Sequence, residues 1–396
     1  MEFADWMPRL GTETAFDVLV RARALEAQGR KIIHLEIGEP DFDTPKNIRE
    51  KAKDAIDKGW THYGPAAGLP ETRAALAEYL TKTRGVNYAP EETIIMPGGK
   101  PVVFFTIMAL VNPGDEVIYP NPGFPIYESM INFIGAKAVP LPIREENDFN
   151  LDIAELERLI TPKTKLLIIN SPANPTGGFL EKDALEQIAR ILAKHPDVMV
   201  LSDEIYSRIL YDKARHHSIA EFPGMKERTI ILEGFSKTYA MTGWRLGYAA
   251  ANKDLVTALA RLSTNCHSCT ASFAQIAAIE ALKGPQGEVD KMVAEFQRRR
   301  DVIVEGLNKL PGFSCKTPKA SFYVFPNIRK LGKPSKEVAD FLLQEAGVAC
   351  LSGTAFGACG EGYLRFSYAN SVENIRQAIQ QIADALPRLK KTAATR

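Results

Sequence analysis

The stretch Ser-Lys-Thr-Tyr-Ala-Met-Thr-Gly-Trp-Arg-Leu-Gly-Tyr, residues 236–248, sets a lysine and an arginine eight residues apart across a Thr-Gly turn. It follows an apolar, strand-like run at 229–232 and the pair Glu233-Gly234. A lysine amine condenses with carbonyls. A guanidinium holds phosphate through a rigid fork of donors. Lys237 and Arg245 therefore suit a ligand that carries both groups, and pyridoxal 5'-phosphate is such a ligand. Most lysines are solvated surface charges, so this reading depends on what the rest of the chain offers.

Working outward, short apolar runs at 93–96, 116–119, 165–169, 198–201 and 246–250 alternate with helix patterns. Residues 183–194 place Leu185, Ile188, Ile191 and Leu192 on one helical face, and Asp152 with Glu155 forms an N-cap signal for a helix at 153–160. This alternation predicts an α/β fold with a mostly parallel sheet covered by helices on both faces. Such sheets bind ligands at the carboxyl ends of their strands. The C-terminal part, with a long charged helix at 288–310, short strands and a final helix from about residue 372, predicts a smaller α+β domain. The expected organisation is an N-terminal arm with part of the small domain at 1–47, a large cofactor-binding domain at 48–287 and the small domain at 288–396. The run Arg298-Arg299-Arg300 reads as a solvated helix face, and His216-His217 as exposed loop.

Several residues at strand ends carry chemistry. Pro97-Gly98-Gly99-Lys100 opens a helix, and reads equally as a phosphate-binding turn or a plain strand–helix turn. Asn174 is the chief amide of the loop 170–178, which is otherwise ordinary Pro/Gly turn chemistry. Asp203 and Glu204 end the run 198–201 and should face opposite ways. Asp203 can pair with a pyridinium nitrogen or simply cap a helix, and Tyr206 follows within reach of the same ligand. Arg365 lies in an apolar strand and needs an anion, either a substrate carboxylate or a structural partner. Cys266-His267-Ser268-Cys269 lacks the second ligand pair that a zinc site requires.

Bulk properties narrow the partners. The 396 residues carry 49 basic and 48 acidic side chains, a formal charge of +1, so no charge field for nucleic acid or a membrane surface is expected. No apolar run approaches a membrane span of roughly 18 residues. Residues 1–10 do not read as a signal peptide, and five cysteines without framework spacing fit a reducing compartment. The cytoplasm is the expected location.

Together these motifs resemble the class I aminotransferases, of the fold type I group of pyridoxal-phosphate enzymes, and most resemble the bacterial and archaeal aspartate aminotransferase subgroup. The resemblance runs from Gly38-Glu39-Pro40-Asp41-Phe42 to Arg365 and includes Tyr63 in Tyr-Gly-Pro-Ala-Ala-Gly, the Asn174-Pro-Thr-Gly loop, Asp203-Glu-Ile-Tyr206, Ser236-Lys237 and Arg245. It implies that Lys237 bonds the cofactor and moves a proton, while Asp203 keeps the ring nitrogen protonated. Tyr206 and Asn174 would hydrogen-bond the ring oxygen, with Phe124 stacked on the ring. Arg245, Ser236 and the backbone at Gly99 and Lys100 would hold the phosphate. Tyr63 would reach the neighbouring subunit's phosphate, which implies a homodimer with shared sites. Arg365, Gly38 and Asn174 would clamp the substrate α-carboxylate, and Lys100 would contact a distal carboxylate. Two departures stand out: Gly234 replaces a frequent serine, and Gly11-Thr12-Glu13-Thr14-Ala15 differs from the counterpart in dicarboxylate-specific relatives. The expected reaction is ping-pong transfer from an L-amino acid, aspartate first, to 2-oxoglutarate. The rivals are a broad aromatic or aliphatic aminotransferase, with Phe16, Phe124 and Tyr323 lining the pocket, a pyridoxal-phosphate C–S β-lyase, and a non-enzymatic binding protein.

Overall fold

The structure is a computed structural model that describes residues 2–392. Its strands in chain order are Ile33–His34 (β1), Thr93–Met96 (β2), Glu116–Asn121 (β3), Lys137–Arg144 (β4), Asn150–Leu151 (β5), Thr164–Asn170 (β6), Met199–Asp203 (β7), Thr229–Gly234 (β8), Gly247–Ala250 (β9), Tyr323–Val324 (β10), Val348–Ala349 (β11), Leu351–Ser352 (β12) and Leu364–Ser367 (β13).

Eight of them form one sheet in the order β2-β9-β8-β7-β6-β3-β4-β5. The pairs among β4, β3, β6, β7 and β8 are parallel, and β9 runs against both β8 and β2. Strands β2 and β8 are buried along their length and β7 from Val200 onward, as a sheet covered on both faces demands. Two separate apolar clusters lie on its faces. One is built around Val102, Tyr127 and Leu259, the other around Leu167, Ile188 and Val200. The helix Lys182–Ala193 buries Leu185, Ile188, Ala189, Ile191 and Leu192 in the second. The N-cap of Ile153–Leu159 is Asp152, whose carboxylate accepts from the N–H groups of Ala154 and Glu155.

A second core gathers Phe296, Phe322, Leu342, Phe366 and Ile382 around the three-stranded antiparallel sheet β10-β13-β12 and the helices Gly287–Asn308 and Val372–Thr392. Ile33 and Leu35 of the N-terminal segment pack in this core, and β1 pairs in parallel with β11. Among the described residues no helix is long and apolar enough to cross a membrane.

Two expectations need correction. Arg299 and Arg300 are buried, not solvated; only Arg298 of that run is exposed. They follow the inward-facing Phe296 by three and four residues, so the helical repeat turns them toward the core. There Arg299 pairs with Asp41 at 2.6 Å and Arg300 with Asp212 at 2.5 Å. His216 is likewise not exposed. Its side chain is 8% accessible and its Nε2 lies 2.8 Å from Glu204 Oε2.

Candidate active site

Parallel strands bring their carboxyl ends to one rim. Asn170 and Asp203 are register partners at the ends of β6 and β7. Strand β8 ends at Gly234, and the single turn Phe235–Thr238 presents Lys237. Because β9 is antiparallel, its beginning reaches the same rim and delivers Arg245. At the end of β2, Gly98 turns with φ +102° and Lys100 opens the helix Lys100–Leu110.

These ends surround a cavity of about 370 Å³. Its walls include Gly38, Gly99, Lys100, Phe124 and Asn174, together with Asp203, Tyr206, Ser236, Lys237, Arg245 and Arg365. Of the site residues expected from sequence, Tyr63 alone stands apart, on the surface and 92% exposed.

Lys237 Nζ donates to Gly38 O at 2.5 Å. Burial pushes its ammonium down to about 8, with Glu39 opposing and Arg365 adding to the shift. Asp203 is buried and has no cationic partner among the described residues. Tyr127 Oη donates to its Oδ2 at 2.6 Å and the Ile205 N–H to its Oδ1 at 3.2 Å. Burial raises the carboxyl to about 6 despite these two bonds. Successive residues of an extended strand face opposite sides, so Glu204 points away, to Arg84 at 2.7 Å, His216 and Ser218.

Arg365 is buried at one end of the cavity. Its Nη1 donates to Asn174 Oδ1 at 3.1 Å, its Nη2 donates to Glu36 O, and its Nε has no partner among the described residues. Tyr323 and Phe356 cover its guanidinium, with ring centres 4.5 and 4.8 Å from Cζ. Burial lowers its pKa, and an incoming anion would oppose that cost of burying the charge. Tyr206 Oη shares a 2.8 Å hydrogen bond with Tyr323 Oη.

Arg245 lies against the Gly98 turn. A Cβ on Gly98 would sit 2.5 Å from its Nη2, so glycine leaves open a cradle between turn and guanidinium. The Gly234 departure also has a steric reason. A Cβ there would stand 3.1 Å from Leu246 O and 3.2 Å from Ile205 Cδ1, because β9 approaches closely.

Two cavity residues escaped the sequence reading. Tyr127 follows Phe124 by one helical turn but is an aromatic in an apolar helix, indistinguishable there from core. Glu13 ion-pairs with Lys100 from the start of the helix Thr14–Ala27. Its only sequence signal was that the segment around it differs from dicarboxylate-specific relatives.

The residues fit pyridoxal 5'-phosphate. A buried carboxylate without a cation, an enclosed lysine with a lowered pKa, an arginine beside a glycine turn and an unpartnered arginine Nε face one cavity. These are the groups that a pyridinium, a carbonyl, a phosphate and a substrate carboxylate require.

Residues 30–382 match the family described as aminotransferase class I and II. The chain is 44% identical to an aspartate aminotransferase of Pyrococcus abyssi over 92% of its own length and 95% of that protein's. It is 43% identical to aromatic-amino-acid aminotransferase 2 of Thermococcus litoralis over 92% and 94%. The solved aspartate aminotransferase of Rhizobium meliloti superposes with a TM-score of 0.94 at 35% identity, covering 98% of this chain and 99% of that one. Each of these relatives is named as an aminotransferase. The architecture is that of fold type I, and the family uses pyridoxal 5'-phosphate with amino and 2-oxo acids as substrates. With eleven of the expected residues around one cavity and likeness along nearly its whole length, the chain belongs to the class I and II aminotransferases.

Proposed function

We propose that this chain binds pyridoxal 5'-phosphate in the cavity and transfers the amino group of an L-amino acid to a 2-oxo acid in a ping-pong cycle. Aspartate is the favoured donor and 2-oxoglutarate the favoured acceptor. The observation that carries the reading is the meeting of Lys237 with the cation-less buried Asp203 in one cavity that ends at Arg365. The names of the Pyrococcus abyssi and Rhizobium meliloti relatives support aspartate.

When bound, the cofactor supplies a carbonyl carbon for amines and a ring that takes up the electron pair left at the substrate Cα. The protein does the rest. Lys237 Nζ takes the proton from Cα and returns it on the other side of the transfer. Asp203 holds the ring-nitrogen proton, and Tyr127 fixes its carboxylate. Tyr206 and Asn174 would hold the ring oxygen, and Phe124 would pack against the ring. Arg245, Ser236 and the N–H groups of Gly99 and Lys100 hold the phosphate. Arg365, with Asn174 and the backbone of Gly38, binds the α-carboxylate and so orients the Cα–H bond.

Tyr63 is exposed, as a residue reaching a second subunit would be, and we read the enzyme as a homodimer with shared sites. We read residues 48–287 as the cofactor-binding unit and the described residues within 1–47 and 288–396 as contributing the smaller one. Five free cysteines support a cytoplasmic location.

Donor profiles of two variants test the substrate assignment. Arg365→Ala should raise KM for aspartate and alanine alike, by roughly tenfold to a hundredfold for a lost charge-assisted pair. Lys100→Ala should act on dicarboxylates and spare alanine. Equal losses for both donors in the Lys100 variant would remove its selective role.

A further inference from the structure

Glu13 occupies the N-cap position of the helix Thr14–Ala27, yet its side chain caps nothing. A carboxylate at such a position ordinarily accepts from the N–H groups one turn on. Here it turns into the cavity instead. Its Oε1 is buried, and Lys100 Nζ is its polar partner. The Glu13 side chain is 17% accessible and that of Lys100 43%. Phe16 and Phe124 flank the pair, each with its ring centre 5.9 Å from Lys100 Nζ.

The other cations of the cavity are held differently. Lys237 donates to Gly38 O, Arg365 to Asn174 and Glu36 O, and Arg245 to Thr242 O. Among the described residues, Glu13–Lys100 is the one ion pair whose two members both line the cavity. An anion entering at Lys100 therefore meets a cation that is already neutralised. It must exchange with Glu13. A neutral side chain meets no such competitor: it can rest against Phe16 and Phe124 with the ion pair closed.

We infer that Glu13 is a specificity-determining residue, an internal carboxylate that competes with the second carboxylate of a dicarboxylic substrate for Lys100. This rests on the aminotransferase reading of the site and deepens it. The consequence is a site that takes both classes of substrate. Dicarboxylates bind by displacing Glu13, and uncharged or aromatic side chains bind with the pair intact. Glu13 acts on the ratio between the classes, because the competition exists for one of them only.

The test uses the enzyme loaded with pyridoxal 5'-phosphate. The ratio of kcat/KM for aspartate to that for phenylalanine is measured in the unsubstituted chain, in Glu13→Gln, in Lys100→Ala and in the double variant. Glutamine keeps the size of the side chain and removes its charge. The ratio should rise about two- to fivefold in Glu13→Gln, the scale of one half-exposed ion pair. The same substitution should leave the ratio unmoved in the Lys100→Ala background. Calorimetric binding of succinate, a dicarboxylate without an amino group, should tighten by a similar factor in Glu13→Gln and gives a readout independent of turnover. An unchanged ratio in an active Glu13→Gln enzyme, or an equal gain in the Lys100→Ala background, would overturn the inference and leave the aminotransferase reading standing. Absence of transamination in the unsubstituted chain would overturn both.

Discussion

At the scale of single residues, burial sets the chemistry of the site. An ordinary lysine titrates at about 10.4 and is a poor nucleophile at neutral pH. Enclosure lowers Lys237 to about 8. Below that value Nζ is protonated and cannot attack a carbonyl; above it the free amine is present. Capture of pyridoxal 5'-phosphate by the cofactor-free chain should therefore rise with pH through about 8 and then level off. Borohydride trapping followed by mass spectrometry measures this, and continued growth toward pH 10 would show an ordinary lysine instead. Lys237→Ala should give no trapped adduct at this site and lose at least about 10²–10⁴ in kcat. The meeting of Lys237, Asp203 and Arg365 in one cavity could be expected from sequence because all three follow or occupy apolar strands. Glu13 and Tyr127 could not. They reach the cavity from the starts of helices, and nothing in their own neighbourhoods distinguishes them from surface charge and core. Arg299 and Arg300 misled for the opposite reason: charge suggested solvent, while the helical repeat placed them inward.

At the scale of elements, the rim works because tight turns bring backbone close to side chains. The turn after β2 shows this most clearly. Gly98 has φ +102°, and a Cβ would meet the Arg245 guanidinium. Gly98→Ala should lower affinity for pyridoxal 5'-phosphate by about tenfold or more, while the strained backbone costs about 1–2 kcal/mol of stability. Equilibrium dialysis and urea unfolding separate the two effects. Asp152→Ala, at a helix cap away from the cavity, should cost about 1 kcal/mol and leave cofactor affinity unchanged. Strands β2, β3, β6, β7, β8 and β9 of the large sheet were legible because apolar runs of this length, bounded by turns, suit a sheet buried on both faces; β4, interrupted by Pro140 and Pro142, and the two-residue β5 were not. The reversed direction of β9 was not, since side-chain pattern carries no information about which way a strand runs. The two-residue strands β1, β11 and β12 are too short to leave a periodic signal, and they exist through packing of distant segments.

At the scale of the whole molecule, a buried polar network ties the helix Pro70–Arg84 to the strand ends that carry the site. Arg84 Nε meets Glu204 at 2.7 Å and its Nη2 meets Glu233 at 2.6 Å, with all three side chains essentially inaccessible. Ser207 and Tyr248 donate to Glu233, and Ser202 and Ser218 to Glu204. Glu204 follows Asp203 directly, and Glu233 lies four residues before Lys237. Burial by itself would raise the Glu204 carboxyl, but Arg84 and then His216 hold it down at about 2. An unfolded glutamate titrates at about 4.3. The stabilising contribution of Glu204 is therefore complete above that value and is lost as pH falls through about 2. Arg84→Met should destabilise the fold by about 3–5 kcal/mol in urea unfolding, because it leaves two buried carboxylates without their cation. A loss below 1 kcal/mol would mean that water or His216 compensates.

The central claim is that Lys237, Asp203 and Arg365 act on one cofactor and one amino acid in the same cavity. The most direct measurement is the visible absorption of the purified chain loaded with pyridoxal 5'-phosphate, first alone and then with single amino acids. A band from the lysine-bound cofactor should appear, fade with aspartate or glutamate and return on addition of 2-oxoglutarate. Absence of that band, or a loss that no 2-oxo acid reverses, would contradict the claim.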